Sequence, residues 1–484
     1  MKQKSIKLNF IMNAILQISA FIFPLITFPY VSRILGPSGT GNVSFATSIV
    51  TYFALFAQLG IPTYGIRATA RVRDDKKLLS KTVQEIFIIN AVMCVLAYFV
   101  FFVVLNLVPK MYNDKVLFII ISSTILFNSV GMDWLYKGLE KYTYITFVSI
   151  IFKFIALILM FVCVHHKNDY VIYGAISIFA ASASNICNLV NIHKLIYIKP
   201  IFNYEFTKHF RPIMIFFAMS CATTIYTNLD TVMLGFMKDN VEVGYYNAAI
   251  KIKNVLLGVV TSLGTVLLPR ASYYIENNMY SEFKRIAGKA LNFVVLISFP
   301  LCLYFILFAK EGVLFLSGDA YTEAILPMQI LMPTLIFIGL TNIMGIQMLI
   351  PLGREKVVLY SEIAGAIVDL VINTILIPIM ASSGAAIGTL VAEMVVWTVQ
   401  YIALKEDVKE AYVKIRYLPI VIGLAISALF SMPIKLLGLS SFFTLLLSAI
   451  VFFGIYLVVL TVAKEKLVNE IEFQILEKIL KKGE

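Results

Sequence analysis

The chain has 484 residues, 60% of them hydrophobic and 14% charged, with a formal net charge of +12 from 40 Lys plus Arg against 28 Asp plus Glu. Water-exposed globular domains carry roughly 45–50% apolar residues, so the composition excludes that class and predicts a polytopic membrane protein. Cys94, Cys163, Cys187, Cys221 and Cys302 stand singly in apolar runs without C-x-x-C spacing, which argues against a disulfide framework or a zinc centre.

A membrane-spanning helix needs about 20 mostly apolar residues, because it must cross the hydrocarbon core while pairing its own backbone groups. Fourteen runs qualify: 10–31, 43–64, 83–107, 116–136, 144–164, 170–191, 212–236, 243–268, 290–309, 325–350, 357–380, 385–404, 417–437 and 441–463. The first is too long for a signal-peptide core and lacks a small-residue cleavage site, so residues 1–9, with Lys2, Lys4 and Lys7, are expected to stay attached. Alternate connections, counted with both termini, hold 30 of the 40 basic residues and the opposite connections hold 7; Lys153, Lys251 and Lys253 fall within spans. The positive-inside rule then puts both termini in the cytoplasm. The basic excess is mostly an orientation signal, and nucleic acid is not needed to explain it. In the tail, Val468, Ile471, Ile475 and Ile479 recur at helical spacing among charges, which predicts an amphipathic helix on the inner membrane surface.

Gly41, Gly60, Gly138 and Gly174 recur as Gly244, Gly264, Gly353 and Gly384, and 137–141 (KGLEK) resembles 352–356 (LGREK). Six helices followed by six in the same orientation is a parallel repeat, a common transporter plan. The expected organisation is a bundle over 1–200, a second over 201–410, two further spans over 411–463, and a cytoplasmic tail over 464–484.

Ionisable side chains are costly at mid-bilayer and mark functional sites by default. Span five carries Lys153 and span eight aligns Asn247, Lys251 and Asn254. Span seven carries Asp230 with Ser220, Thr223 and Thr227; span eleven Asp369 with Glu362 and Asn373; span twelve Glu393 with Thr389 and Gln400. Span one adds Asn13 and Gln17. Asp230 and Lys251 lie at similar depth and are expected to pair, whereas Lys253 points to the other side of its helix. Uncharged Ser, Thr and Asn also serve ordinary helix–helix hydrogen bonding. Pro24, Pro29, Pro300, Pro327, Pro333 and Pro378 interrupt spans and are expected to bend them.

Three stretches carry a resemblance. They are Pro24 to Gly36 with Gly41, Gly60 and 67–71 (RATAR); Tyr226, Asp230, 233–235 (MLG), Gly244, Lys251 and 268–270 (LPR); and Gln347, 351–354 (PLGR), Asn373, Pro378, 384–386 (GAA) and Glu393. Over residues 8 to 405 the chain resembles the lipid-linked oligosaccharide flippases, called Wzx, of the multidrug/oligosaccharidyl-lipid/polysaccharide exporter superfamily. The resemblance implies an all-α integral membrane fold of 14 transmembrane helices, in which two pseudo-symmetric six-helix bundles form a V around a cavity and two helices follow. It also implies alternating access that carries an undecaprenyl-pyrophosphate-linked repeat unit from the cytoplasmic to the outer leaflet of a bacterial inner membrane, for capsule, O-antigen or exopolysaccharide synthesis. Other polysaccharide-assembly membrane proteins are implied partners.

The family has no invariant catalytic residue, so site assignments rest on physics. A pyrophosphate leaving the interface needs cations in a low-dielectric cavity. Lys153 and Lys251 are the first candidates, with Arg33 at the outer rim and Arg67 and Arg270 at the inner one. Asn13, Gln17, Asn247 and Asn254 suit sugar hydroxyls. Asp230, Asp369 and Glu393 are candidates for H+ or Na+ coupling; no metal and no organic cofactor is expected. A teichoic-acid-type exporter and a multidrug or cation antiporter are rival transporters. A membrane polymerase or glycosyltransferase is the rival of another class, disfavoured because no long outer loop carries a catalytic set.

Overall fold

The computed structural model describes residues 6–262 and 264–470. Lys2 and Lys4, and the tail positions Ile471, Ile475 and Ile479, lie outside the described residues. The chain is helical, with no strand among the described residues, and it forms two compact units, Met1–Gly244 and Tyr245–Glu484.

The first unit holds α1 (Ile6–Gln58), α2 (Ile61–Arg71), α3 (Lys76–Leu107), α4 (Pro109–Asn113), α5 (Lys115–Gly131), α6 (Asp133–Gly138), α7 (Tyr142–Cys163), α8 (Tyr170–Ser182), α9 (Ser184–Asn191) and α10 (Thr207–Met237). α1 is broken at Gly36, whose φ of 67° and ψ of −177° belong to a region essentially reserved for glycine. Gly41 follows for a different reason: a Cβ there would fall 1.6 Å from the Asn240 carbonyl oxygen, so a bare backbone is required. At the start of α3 the Asp75 side chain accepts from the Lys77 and Leu78 amides, meeting donors that the helix end leaves unpaired.

The connections of this unit gather at two ends. At one, Arg73 pairs with Glu140 at 2.7 Å, Asn9 donates to the same carboxylate at 3.4 Å, and Lys81 pairs with Glu205 at 2.8 Å. At the other, Tyr170 donates to Asp114 at 2.9 Å and Asn240 to Asn42 at 2.7 Å. The first set are the connections rich in basic residues, the second those poor in them.

The second unit is entered along α11 (Asn240–Thr261) and continues through α12 (Gly264–Glu276), α13 (Tyr280–Leu307), α14 (Ala309–Ser317), α15 (Ile325–Leu331), α16 (Thr334–Thr341), a π-helix at Asn342–Leu349, α17 (Glu355–Lys414), α18 (Tyr417–Ser431) and α19 (Ser441–Val462). Its basic connections also meet at one end, where Asp407 lies 3.2 Å from Lys284 and 4.0 Å from Arg354. Asn292 on α13 donates to Glu465, just beyond α19, at 2.9 Å. Lys435, on a basic-poor connection, donates to the Leu307 carbonyl at 2.5 Å and lies 3.5 Å from Glu311.

Among the described residues, ten helices are long and apolar enough to cross a membrane, or eleven if the bent pair Asp319–Leu331 and Thr334–Leu349 is one span. Two of these stretches, Ile11–Arg71 and Glu355–Lys414, run to 61 and 60 residues, about 90 Å if straight and so roughly three bilayer cores long. Each contains a non-helical residue, Gly36 and Ala381 (φ 48°). The bent pair turns by 46° between Leu331 and Thr334, at Pro333. Of the other prolines expected to bend spans, Pro24 and Pro29 lie in α1 before its break at Gly36, Pro300 lies inside α13, Pro327 inside α15, and Pro378 in α17 three residues before the break at Ala381.

The repeat has a local structural signature. Glu140 (φ 55°) and Gly353 (φ 70°) both end a helix in the left-handed conformation. After each, the next amide bonds back five residues: Lys141 to the Tyr136 carbonyl and Arg354 to the Leu349 carbonyl, both at 2.8 Å. This is the same helix-ending motif twice. It matches Gly353 with Glu140, two residues on from Gly138; Gly138 is small for another reason, since a Cβ there would lie 2.0 Å from Thr69 Oγ1.

Candidate functional site

Lys153 sits near the middle of α7, roughly 15 Å of helix from either end. Its ammonium donates to Ser19 Oγ on α1 at 2.8 Å. On the same helix pair Thr146 Oγ1 donates to the Met12 carbonyl at 3.0 Å, and the Tyr30 hydroxyl donates to the Val164 carbonyl at 2.8 Å. All three contacts have a sequence separation of 134, so α7 and the first half of α1 run parallel and in register. Of the predicted sugar-binding residues on α1, Gln17 lies about 200° around the helix from Ser19, so the contact Lys153 makes is on another face; Asn13 is half-buried and Gln17 exposed.

The other predicted cations are distributed. Arg33 is exposed and its Nη1 donates to the Pro29 carbonyl at 2.5 Å. Arg67 on α2 and Arg270 on α12 are exposed. In the second unit Lys251 and Asn247 are half-buried on α11, Asn254 is exposed and Lys253 is buried.

The carboxylates are the most enclosed of the predicted charged residues: Asp230 on α10 is 6% exposed, and on α17 Asp369 is 1% and Glu393 6% exposed. Asp369 and Asn373 converge on Gly388, where an added Cβ would lie 2.9 Å from Asp369 Oδ1 and 2.2 Å from Asn373 Oδ1. At the next residue, Thr389 Oγ1 is 2.8 Å from the Tyr246 hydroxyl. Gln400 donates to Ser361 at 3.1 Å. The polar stripes of spans eleven and twelve thus meet through the small residue Gly388.

Two features of the first unit were not among the predicted sites. One is a buried network around Glu85, which has no solvent exposure. Glu85 accepts from the Glu205 amide at 2.8 Å and lies 2.9 Å from Lys208 Nζ and 2.8 Å from His209 Nε2. His209 Nδ1 is 2.6 Å from the Tyr64 hydroxyl. A neutral His209 protonated at Nε2 satisfies both neighbours, donating to Glu85 and accepting from Tyr64. In the connection before α10, the Lys81 ammonium holds the Glu205 carboxyl below the usual carboxylate range. Sequence offered only one signal for this network, an acidic residue inside an apolar run.

The second feature is a cavity of about 350 Å³ bounded by α1, α2, α5, α8 and α10. No ionisable side chain is among its described lining residues; its polar groups are hydroxyls and amides. Gly60 sets its floor, because its φ of 70° turns the chain into α2 and its bare Cα lets α10 approach to where a Cβ would be 2.5 Å from the Phe217 amide.

The family model described as polysaccharide biosynthesis protein matches residues 6–275, more than half of the chain. The chain belongs to the polysaccharide biosynthesis protein family. A second model, MatE, matches residues 215–375. A candidate O-antigen transporter of Escherichia coli (strain K12) is 25% identical over 83% of this chain and 97% of its own length. Its namesake from Shigella dysenteriae is 27% identical over 81% of this chain and 98% of its own length. Among solved structures, the lipid II flippase MurJ in an inward closed conformation superposes with a TM-score of 0.70 at 15% identity, covering 95% of this chain and all of that one. This match agrees with the polysaccharide family that sequence resemblance indicated.

Proposed function

We propose that this member of the polysaccharide biosynthesis family is a flippase that carries an undecaprenyl-pyrophosphate-linked oligosaccharide repeat unit from the cytoplasmic to the outer leaflet. It is a transporter and not an enzyme, in keeping with relatives named as transporters. The observation that carries the substrate class is Lys153, a half-buried cation at mid-helix whose partner is the neutral hydroxyl of Ser19. A cation at that depth held by a hydroxyl keeps charge to offer to an entering anion, and the pyrophosphate is the anionic part of the substrate.

Lys251 plays the matching part in the second unit, with Arg33 at the outer rim and Arg67 and Arg270 at the inner one. Asn13, Gln17, Asn247 and Asn254 meet sugar hydroxyls, and the polyprenyl tail stays in lipid. The burial of Asp230, Asp369 and Glu393 supports a role in H+ or Na+ coupling. The two overlong helical stretches, each with a break inside, raise the eleven candidates to thirteen, and α11, with 22 residues, supplies the fourteenth of the proposed spans. These form bundles over 1–200 and 201–410 followed by two helices, with both termini on the cytoplasmic side of a bacterial inner membrane. Alternating access of the bundles moves the substrate, and other polysaccharide-assembly membrane proteins supply and consume it.

The MatE match favours a second reading, export of a cationic drug. One experiment separates the two. Proteoliposomes holding the purified chain receive either an undecaprenyl-pyrophosphate-linked oligosaccharide or a cationic dye. Appearance of the glycolipid in the opposite leaflet, lost in Lys153→Ala and Lys251→Ala, is expected; dye transport without glycolipid transfer would overturn the flippase reading.

A further inference from the structure

The cavity inside the first unit has a composition unlike the rest of the proposed transport path. Among the described residues lining it, none is ionisable, and yet its wall is rich in hydrogen-bonding groups. α1 contributes Thr47, Thr51 and Gln58, α5 contributes Thr124 and Asn128, and α10 contributes Ser220 and Thr224. Ile121, Ile178 and Pro62 supply apolar surface between them.

The hydrogen-bond state of these groups divides them into acceptors and donors. Thr47 Oγ1 donates to the Val43 carbonyl and Thr51 Oγ1 to the Thr47 carbonyl, each at 2.7 Å, so both hydroxyl oxygens remain as acceptors. Asn128 Oδ1 accepts from the Asn185 amide at 3.2 Å, which orients the Asn128 side chain with its N–H groups as donors. Thr124 Oγ1 is buried from solvent without a hydrogen-bond partner, so it is not presented to a ligand. Gln58 supplies one further donor group and one acceptor.

We infer that this cavity is a recognition subsite for one uncharged sugar ring of the lipid-linked glycan, read by Thr51, Gln58, Asn128 and Ser220. The inference rests on the flippase reading and deepens it. A hexose has about twelve non-hydrogen atoms, and the cavity holds the volume of about twelve waters at ~30 Å³ each, so one ring fits. A ring also presents what the wall requires, O–H groups that both donate and accept along the rim and C–H faces for the apolar surface. A pyrophosphate or an ionised uronate does not suit it, because an anion desolvated there meets no cation. The subsite therefore separates sugar recognition from the handling of charge at Lys153 and Lys251.

The test uses the full chain in nanodiscs and two probes, undecaprenyl pyrophosphate and undecaprenyl-pyrophosphoryl-N-acetylglucosamine. Wild type is expected to bind the sugar-bearing lipid at least tenfold more tightly. Asn128→Leu and Gln58→Leu, and the near-isosteric Thr51→Val and Ser220→Ala, are each expected to lose roughly 2- to 10-fold of that preference while binding the bare lipid as wild type does. Equal wild-type affinity for both lipids would overturn the subsite and leave the flippase reading standing. Binding of neither lipid would overturn both. Equal loss for both lipids in all four variants, with lowered melting temperatures, would show that the lining is structural and overturn the subsite.

Discussion

The ammonium of Lys153 donates to Ser19 Oγ at 2.8 Å, and the contacts on either side of it have the same sequence separation of 134. From Met12 to Tyr30 the shared face covers about 27 Å of rise, close to the full hydrocarbon thickness. The cation therefore stands near mid-membrane, on a helix pair locked in register above and below it. Its position is set by packing, so the anion proposed to bind there would meet a charge already in place.

Lys153→Ala should reduce leaflet transfer of a pyrophosphate-linked oligosaccharide by roughly 10- to 100-fold, the loss expected for a hydrogen bond to a charged group. Lys153→Arg should retain part of the activity because the charge is kept. Ser19→Ala should cost much less, since it removes only the hydroxyl that orients the ammonium. A proteoliposome transfer assay on the three variants checks the order.

The Glu85 network should behave as a structural clamp on the start of α10. Glu85→Ala leaves His209 and Lys208 without their shared acceptor and should destabilise the protein by about 3 kcal/mol. Tyr64→Phe removes one hydrogen bond and should cost about 1 kcal/mol. Melting temperatures in detergent should fall in that order, with Glu85→Gln between them.

Gly138→Ala should destabilise by about 1–3 kcal/mol through overpacking, because the new methyl would lie 2.0 Å from Thr69 Oγ1. Combining it with Thr69→Ala should recover part of the loss. Gly454→Ala is the control: a Cβ there has nothing within 4 Å, and no loss is expected. Thermal melting of the three variants beside wild type decides it.

If buried carboxylates couple transport to an ion gradient, Asp230→Asn, Asp369→Asn and Glu393→Gln should weaken gradient-driven transfer while leaving exchange without a gradient less affected. Transport measured under an imposed pH or sodium gradient is the check. Unchanged driven transport in all three removes the coupling proposal.

The orientation can be read by cysteine labelling in a background with Cys94, Cys163, Cys187, Cys221 and Cys302 replaced. Asp74→Cys and Ser281→Cys should react only with reagents on the cytoplasmic side, and Lys167→Cys and Lys435→Cys only with those outside. Labelling of all four from one side would contradict the orientation derived from the basic residues.

Much of the architecture was legible in the chain because membrane helices obey a local rule. Each span must be apolar over a bilayer's thickness, and basic residues mark alternate connections, so the grouping of Arg73, Glu140, Lys81 and Glu205 at one end of the first unit follows the charge pattern. Repeat spacing was legible less well. The glycines suggested Gly138 for Gly353, whereas the matching left-handed turn is at Glu140; a turn motif can be built without glycine, and a glycine can be kept for packing. Of the site, Lys153, Asp230, Asp369 and Glu393 stood out because charge within an apolar run is visible in one dimension. The neutral cavity did not, since Thr, Ser, Asn and Gln in membrane helices have the same appearance whether they bond their own backbone or face a ligand.

By itself the sequence determined the membrane class, the approximate spans, their alternation and the family resemblance, all properties of local hydropathy, charge and motif order. Only the tertiary structure decided that Lys153 meets Ser19 and not the Asn13–Gln17 face, that Glu85 and His209 are joined across 124 residues, and that hydroxyls from α1, α5 and α10 enclose one cavity. Those relations depend on the rotation of each helix about its axis and on close approach at glycines such as Gly60. Packing between distant segments sets both.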